Sequence, residues 1–282
     1  MKEKKKKLVL KKKFIILLLL IFISLGIYSG FNIIKWHLDA QKTANQIEKI
    51  NDTVVVEETE DSASTELVNP PDAELLPNSN PYWDYIKMKL INVDFTKLKE
   101  ENSDTVGWIS VNGTNINYPF VQTTNNTYYL TKDFNKNYNS AGWVFLDYRN
   151  NIKNFDQNTI IYAHGRVDGT MFGSLKNIMK SNWYSNLNNH IVKLSSLYQN
   201  TLWQVFSVYK IPTTSDYIKT SFSSDSEYIE FLNLIQGRSE YTFDVVLNAS
   251  DKILTLSTCY QENERVVLHA KLIKMEDRNG NN

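Results

Sequence analysis

The stretch "ILTLSTCYQENERVVLHAKL" (residues 253–272) holds the only cysteine in a chain of 282 residues. Apolar and polar positions alternate on either side of a short polar run, the pattern of two β-strands joined by a loop. Residues 253, 255, 257 and 259 share one face of the first arm, and residues 265, 267, 269 and 271 share one face of the second. If the arms pair across the loop 260–264, Cys259 and Arg265 become cross-strand neighbours at the end of a sheet. A guanidinium beside a thiol can favour the thiolate or hold a nearby oxyanion. A buried cysteine beside a surface arginine is the plainer alternative.

Working outward, the chain is neutral overall but unevenly charged. "MKEKKKKLVLKKK" (1–13) carries eight lysines and one glutamate, +7, so the remainder sums to −7 and offers no nucleic-acid surface. "FIILLLLIFISLGIYSGFNII" (14–34) is uncharged and long enough to cross a bilayer core of about 30 Å. Lysines before it and acidic residues after it predict an uncleaved signal-anchor, with the N-terminus cytoplasmic and the body extracellular. A cleaved signal peptide is the competing reading, but no small-x-small cleavage site is evident. A lone cysteine in an exported chain rules out an internal disulfide. It is an inert buried residue, half of an intermolecular bridge, or a nucleophile.

Residues 35–80 are acidic and rich in Ser, Thr, Pro and Asn beyond a first part that can extend the membrane helix; they predict an extracellular stalk. The folded domain is expected over 81–276, with a polar tail at 277–282. "PYWDYIKMKLI" (81–91) suits a short amphipathic helix. "VDFTKLKEEN" (93–102) suits another, with Asp94 as N-cap and Val93 and Leu98 as a hydrophobic staple. From Val106 the period becomes that of strands. "VGWISVNGTNINYPFVQ" reads as a hairpin around Asn112-Gly113. Further strand-like runs are 141–148, 158–164, 190–196, 202–211 and "YTFDVVLN" (241–248). One helix interrupts them, "SSDSEYIEFLNLIQG" (223–237), with Ser224 and Glu227 as a capping box and Gly237 at its end. About eight short strands with few helices predict a mainly β, closed or nearly closed barrel.

Four histidines are candidate acid–base groups. His37 lies at the membrane edge, His190 begins a strand after a polar loop, and His269 is mid-strand in the final hairpin. His164 differs, because it ends the strand "TIIYAH" and opens the glycine-bearing loop "GRVDGTMFGSL", where barrels display functional groups. His164 and Cys259 are thus both C-terminal strand ends, 95 residues apart.

"TLSTC" followed by Arg265 and "VVLHAKL", with "IIYAHGRVDGTMFGSL" and "VGWISVNGTNINYPFVQTTNNTYYLTKDFNKNYNSAGWVFLDYRN" upstream, resembles the sortases, and among them class B. The likeness spans roughly residues 81–275. It implies an eight-stranded sortase barrel with two N-terminal helices, an extra helix before the cysteine strand and one N-terminal membrane anchor. It implies a cysteine transpeptidase with Cys259 as nucleophile, His164 as general acid and base, and Arg265 stabilising the substrate oxyanion. Ser257, Tyr162, Leu130 and Asn126 would line the substrate site; for Leu130 and Tyr162, core packing is the alternative. The implied partners are surface proteins with a C-terminal sorting motif, NPxTN or (S/P)PxTG-like, and a peptidoglycan or lipid II amine. No cofactor is expected. No metal-ligand spacing is evident, and the calcium site of other sortase classes is not carried over. The loop between Cys259 and Arg265 has five residues, shorter than in many class B relatives.

A pilin-polymerising enzyme with a lysine acceptor and a catalytically inactive, membrane-tethered binding module remain open. Papain-like and cell-wall peptidases fit less well, since they place Cys before His. The L,D-transpeptidases want a histidine and a glycine close before the cysteine, and "LSTC" has neither.

Overall fold

A computed structural model describes residues 12–72, 76–260 and 264–278, with backbone only for Cys259 and Tyr260. Most of the basic tail (1–11), loop residues 261–263 and the end of the polar tail (279–282) lie outside the described residues. The chain divides into two units at Lys42/Thr43. The helix α1 (Lys12–Thr53) starts in the first and runs past that division; its part in the first unit carries the uncharged 14–34 segment, whose side chains are almost all exposed. It is the one described helix long and apolar enough to cross a membrane.

The second unit is built on strands. In chain order they are β1 (Val56–Thr59), β2 (Thr65–Leu67), β3 (Leu90–Val93), β4 (Thr105–Val111), β5 (Asn117–Val121), β6 (Phe145–Leu146), β7 (Asn158–His164), β8 (Ile191–Ser196), β9 (Gln199–Pro212), β10 (Ile253–Tyr260) and β11 (Glu264–Asp277). The ring runs β10-β7-β6-β5-β4-β8-β9-β11 and closes through β10–β11, giving eight strands without a free edge. β2 adds to the far half of β11. The interior packs Trp108, Trp143, Trp203, Phe120 and Phe172, all but inaccessible to water. Burying each such side chain contributes about 2–3 kcal/mol before chain entropy is counted.

The helices are α2 (Tyr82–Tyr85), α3 (Thr96–Glu101), α4 (Ser181–Tyr184) and α5 (Asp225–Gly237). The helix expected over 81–91 is a single turn, because Leu90–Val93 instead forms β3 and pairs with β1. The N-cap of α3 is Phe95, one residue after the expected Asp94, whose Oδ1 nevertheless accepts from Thr96 N at 2.9 Å; both staple residues are buried. In α5, Ser224 Oγ accepts from Glu227 N at 3.2 Å. The return bond shifts by one residue, with Glu227 Oε2 accepting from Ser223 N.

Further expectations change. The run 241–248 is extended but joins no ladder; Phe243 and Tyr241 pack instead on Tyr184. Over 141–148 only Phe145–Leu146 is strand, since Gly142 takes a left-handed φ of 61°. The segment read as a stalk partly folds onto the body. Ile50 and Val54 reach the core, β1 pairs with β3, and Glu58 meets Lys193 at 2.8 Å. An acidic, polar composition hides partners that lie from about thirty to more than a hundred residues away. Likewise Arg278, placed in the polar tail, is pinned by Val93 O and Ser195 Oγ and stacks over Phe95.

Candidate active site

β10 is the strand that organises the site. It pairs in parallel with β7 on one side and antiparallel with β11 on the other. Cys259 is therefore opposite His164 on β7 and opposite Arg265 on β11. At about 4.8 Å per strand step, the three residues form one row across three strands with the cysteine in the middle. Two residues back, Ser257 is opposite Tyr162 and Val267. The strand pairing reaches Tyr260–Glu264, so the loop is tighter than the five residues read from sequence.

A cavity of about 560 Å³ opens over this row. Its walls include His164, Arg265, Ser257, Tyr162, Leu130 and Asn126, which brings together every sequence-derived position whose side chain is described. Thr213–Ser215 and Tyr217, from the segment between β9 and α5, complete it.

His164 is held from two sides. Its backbone carbonyl accepts from Phe172 N at 3.0 Å, which folds the glycine-bearing loop back onto the strand end. Its Nε2 lies 2.8 Å from the Leu130 carbonyl. A carbonyl can only accept, so Nε2 carries a hydrogen and Nδ1 is left to take up or release a proton. Leu130 thus contributes its backbone as well as its side chain. That carbonyl is set by the turn Tyr128–Leu130, which Asn125 Oδ1 caps through Thr127 N and Tyr128 N. Gly142 permits the approach, since a Cβ there would sit 2.5 Å from Tyr129 O and 3.1 Å from the His164 ring.

Arg265 lines the cavity and donates from Nη1 to the Glu264 carbonyl at 3.0 Å, one of the five N–H hydrogens its guanidinium carries. Ser257 Oγ is 2.9 Å from Tyr217 OH. Tyr162 donates its hydroxyl hydrogen to Asp147 Oδ2 at 3.0 Å, and Asn126 Nδ2 donates to the same oxygen at 2.9 Å. Burial alone would raise the Asp147 carboxyl, but hydrogen bonds from Arg149, Asn126 and Tyr162 outweigh it and hold the group below the ordinary carboxylate range. Burial, then the Asp147 charge, pushes the Tyr162 phenol well above its ordinary value, so it stays neutral.

Sequence reasoning missed Asp147, Arg149, Gly142 and Tyr217. The first two carried a signal: charged residues directly follow an apolar run in "VFLDYRN". Tyr217 and its neighbours carried none, because their place depends on the long crossover between β9 and β10. Of the other histidines, His190 is buried among Trp183, Tyr184 and Phe243, and His269 is sealed between the outer face of the barrel and the layer that covers it, against Phe206, Tyr209 and Tyr217.

A family model described as the sortase domain matches residues 109–273. Sortase B of Staphylococcus aureus is 39% identical over 189 residues, 66% of this chain and 77% of that protein. Sortase B of Listeria monocytogenes is 34% identical over 180 residues, 62% and 72% of the two chains. A solved sortase B from Bacillus anthracis superposes with a TM-score of 0.65 at 33% identity, covering 86% of this chain and 99% of that one.

Proposed function

The chain belongs to the sortase family as a cell-wall transpeptidase of the sortase B kind, and from that premise we propose that its reaction runs on the row His164–Cys259–Arg265. The observation that carries this reading is the register itself. Two strands meet Cys259 from opposite sides, one bringing a histidine whose Nε2 is committed to the Leu130 carbonyl and the other an arginine.

The substrate is a surface protein with a C-terminal NPxTN or (S/P)PxTG-like motif. The Cys259 thiolate attacks the threonine carbonyl carbon, and the oxygen gains negative charge facing Arg265. The C–N bond breaks as His164 gives its proton to the departing amine, leaving a thioester. An acceptor amine then attacks the thioester, His164 takes its proton, and the thiolate leaves. Asn126, Leu130, Tyr162 and Ser257 hold the peptide in the cavity. Residues 14–34 anchor the chain in the membrane and place the body outside, within reach of cell-wall amines. A sortase B relative has been solved complexed with triglycine, so a glycine amine is the first acceptor to try.

The test is full-length chain in detergent, offered internally quenched pentapeptides with and without triglycine, wild type against Cys259→Ala. Amine-linked product that requires Cys259 is the expected result. Turnover by the alanine variant would overturn the assignment. Binding without a trappable thioester would favour a tethered binding module.

A further inference from the structure

We propose that Asp147 and Arg149 act as a brace that ties the two walls of the substrate cavity together and so sets its width and polarity. Both belong to the segment just after β6, outside the row His164–Cys259–Arg265. Neither takes part in the transfer itself.

The Asp147 carboxylate is inaccessible to water and accepts five hydrogen bonds. Oδ1 takes the Arg149 backbone N–H at 3.0 Å and Arg149 Nε at 2.9 Å. Oδ2 takes Arg149 Nη2 at 2.7 Å, Asn126 Nδ2 at 2.9 Å and Tyr162 OH at 3.0 Å. Asn126 and Tyr162 form one wall of the cavity. The same Arg149 Nη2 also donates to the Ile218 carbonyl at 2.9 Å, and Ile218 lines the cavity as part of a second wall, the segment between β9 and α5. One fork therefore grips the first wall through Asp147 and the second through a backbone oxygen.

Asn158 fastens that second wall beside it, its Nδ2 donating to Tyr217 O at 3.3 Å and Lys219 O at 2.9 Å. Three successive carbonyls, 217 to 219, are thus captured from the barrel side. The wall has no ladder bonds of its own and contains a turn closed by Ile218 N on Ser215 O, so these carbonyl contacts, with Tyr217 OH on Ser257 and Arg238 on Asp216, hold it in place.

The brace also decides what the cavity presents. Tyr162 has one hydrogen and gives it to Asp147, so its oxygen can only accept from a ligand. Asn126 Oδ1 accepts from Tyr148 N at 2.9 Å, which orients the amide and leaves one Nδ2 hydrogen uncommitted by these bonds. An acceptor beside a donor matches a peptide group or a side-chain carboxamide. The carboxylate is buried while the Arg149 side chain is 37% exposed, so one charge is fully desolvated, and the bidentate fork fixes its geometry more tightly than a point charge would.

The kinetic test rests on the sortase reading. Full-length wild type, Asp147→Asn and Arg149→Lys are compared in kcat and KM on a quenched pentapeptide that the wild type cleaves. Asp147→Asn is expected to raise KM roughly tenfold, the worth of one or two hydrogen bonds, while kcat changes less than about threefold. Arg149→Lys keeps the charge but cannot fork between Asp147 and Ile218 O, so the same rise is expected. Wild-type parameters in the lysine variant, or a fall in kcat at constant KM, would overturn the proposal. Hydrogen–deuterium exchange across 213–219 gives a readout independent of turnover. Faster exchange in both variants is expected even if the wild type cleaves no peptide, an outcome that would sink the sortase chemistry alone. Unchanged exchange would sink the brace.

Discussion

Two rows of the same three strands make an instructive pair. At the open end, Cys259 sits between His164 and Arg265; four residues deeper, Thr255 sits opposite Ile160 and His269. Each row contains a histidine next to a hydroxyl or thiol residue, yet only the outer one meets the cavity. His269 is fully buried, and its partners form a one-way chain. Tyr209 OH lies 2.8 Å from Nε2, Nδ1 lies 2.8 Å from Thr255 Oγ1, and Thr255 donates to Asn158 Oδ1 at 2.6 Å. Asn158 spends its N–H groups on the carbonyls of 217 and 219, so its Oδ1 must accept; Thr255 must then receive from His269, and the imidazole is neutral. Burial, then the Arg238 charge, pushes its pKa down to about 3. The difference teaches that depth, and not residue type, separates a proton carrier from a structural bolt. The hydrogen-bond chain that starts in the inner row still serves the outer one, since it ends on Asn158, which holds the 217–219 wall of the cavity.

The sharpest way to break the comparison is to remove the outer row. Cys259→Ala is expected to lower acyl transfer by on the order of 10⁴ or more, measured as amine-linked product. His164→Ala should cost about 10²–10⁴ in kcat, and Arg265→Ala about 10²–10³, with melting temperatures near wild type. If either loss appeared only as a change in melting temperature, the outer row would be no different in kind from the inner one.

His269→Gln probes the inner row through pH. In the unfolded chain the imidazole titrates near 6.5, whereas in the fold it refuses a proton until about 3. The unfolded state therefore binds more protons below pH 6.5, and stability falls as acid is added, by up to about 1.4 kcal/mol per pH unit. His190, also depressed by burial, adds a slope of the same sign. Thermal melts between pH 6.5 and 4.5 should show a shallower dependence in His269→Gln while kcat on the peptide holds. Superimposable slopes would refute a buried neutral histidine.

The smallest effect is expected from Thr255→Val, about 1 kcal/mol from an interrupted chain of hydrogen bonds, read from denaturant midpoints. A loss of catalysis larger than the loss of stability would mean that the rows communicate more strongly than geometry implies.

Much of this contrast was legible early. Alternation fixed which residues of the final hairpin share a face, and the strand-end position singled out His164 from four histidines. His269 offered no such sign, because a mid-strand histidine looks alike whether buried or exposed. The brace stayed hidden for a related reason: its Arg149 partner on the second wall is a backbone carbonyl, which no side-chain pattern announces. The folded part of the acidic segment 56–67 was misjudged because strand pairing with β3 and β11 depends on partners distant in sequence.

The amino-acid order alone determined the periodicities, the uncharged 21-residue span and the single thiol, since these are local properties of neighbouring residues. Tertiary structure alone decided which strands adjoin. It set a parallel β7 against β10 across the long intervening crossover, so that a histidine and an arginine flank one cysteine. The physical reason is closure: once the eight strands form a ring, each register is set by burial of the whole interior and no longer by any one segment.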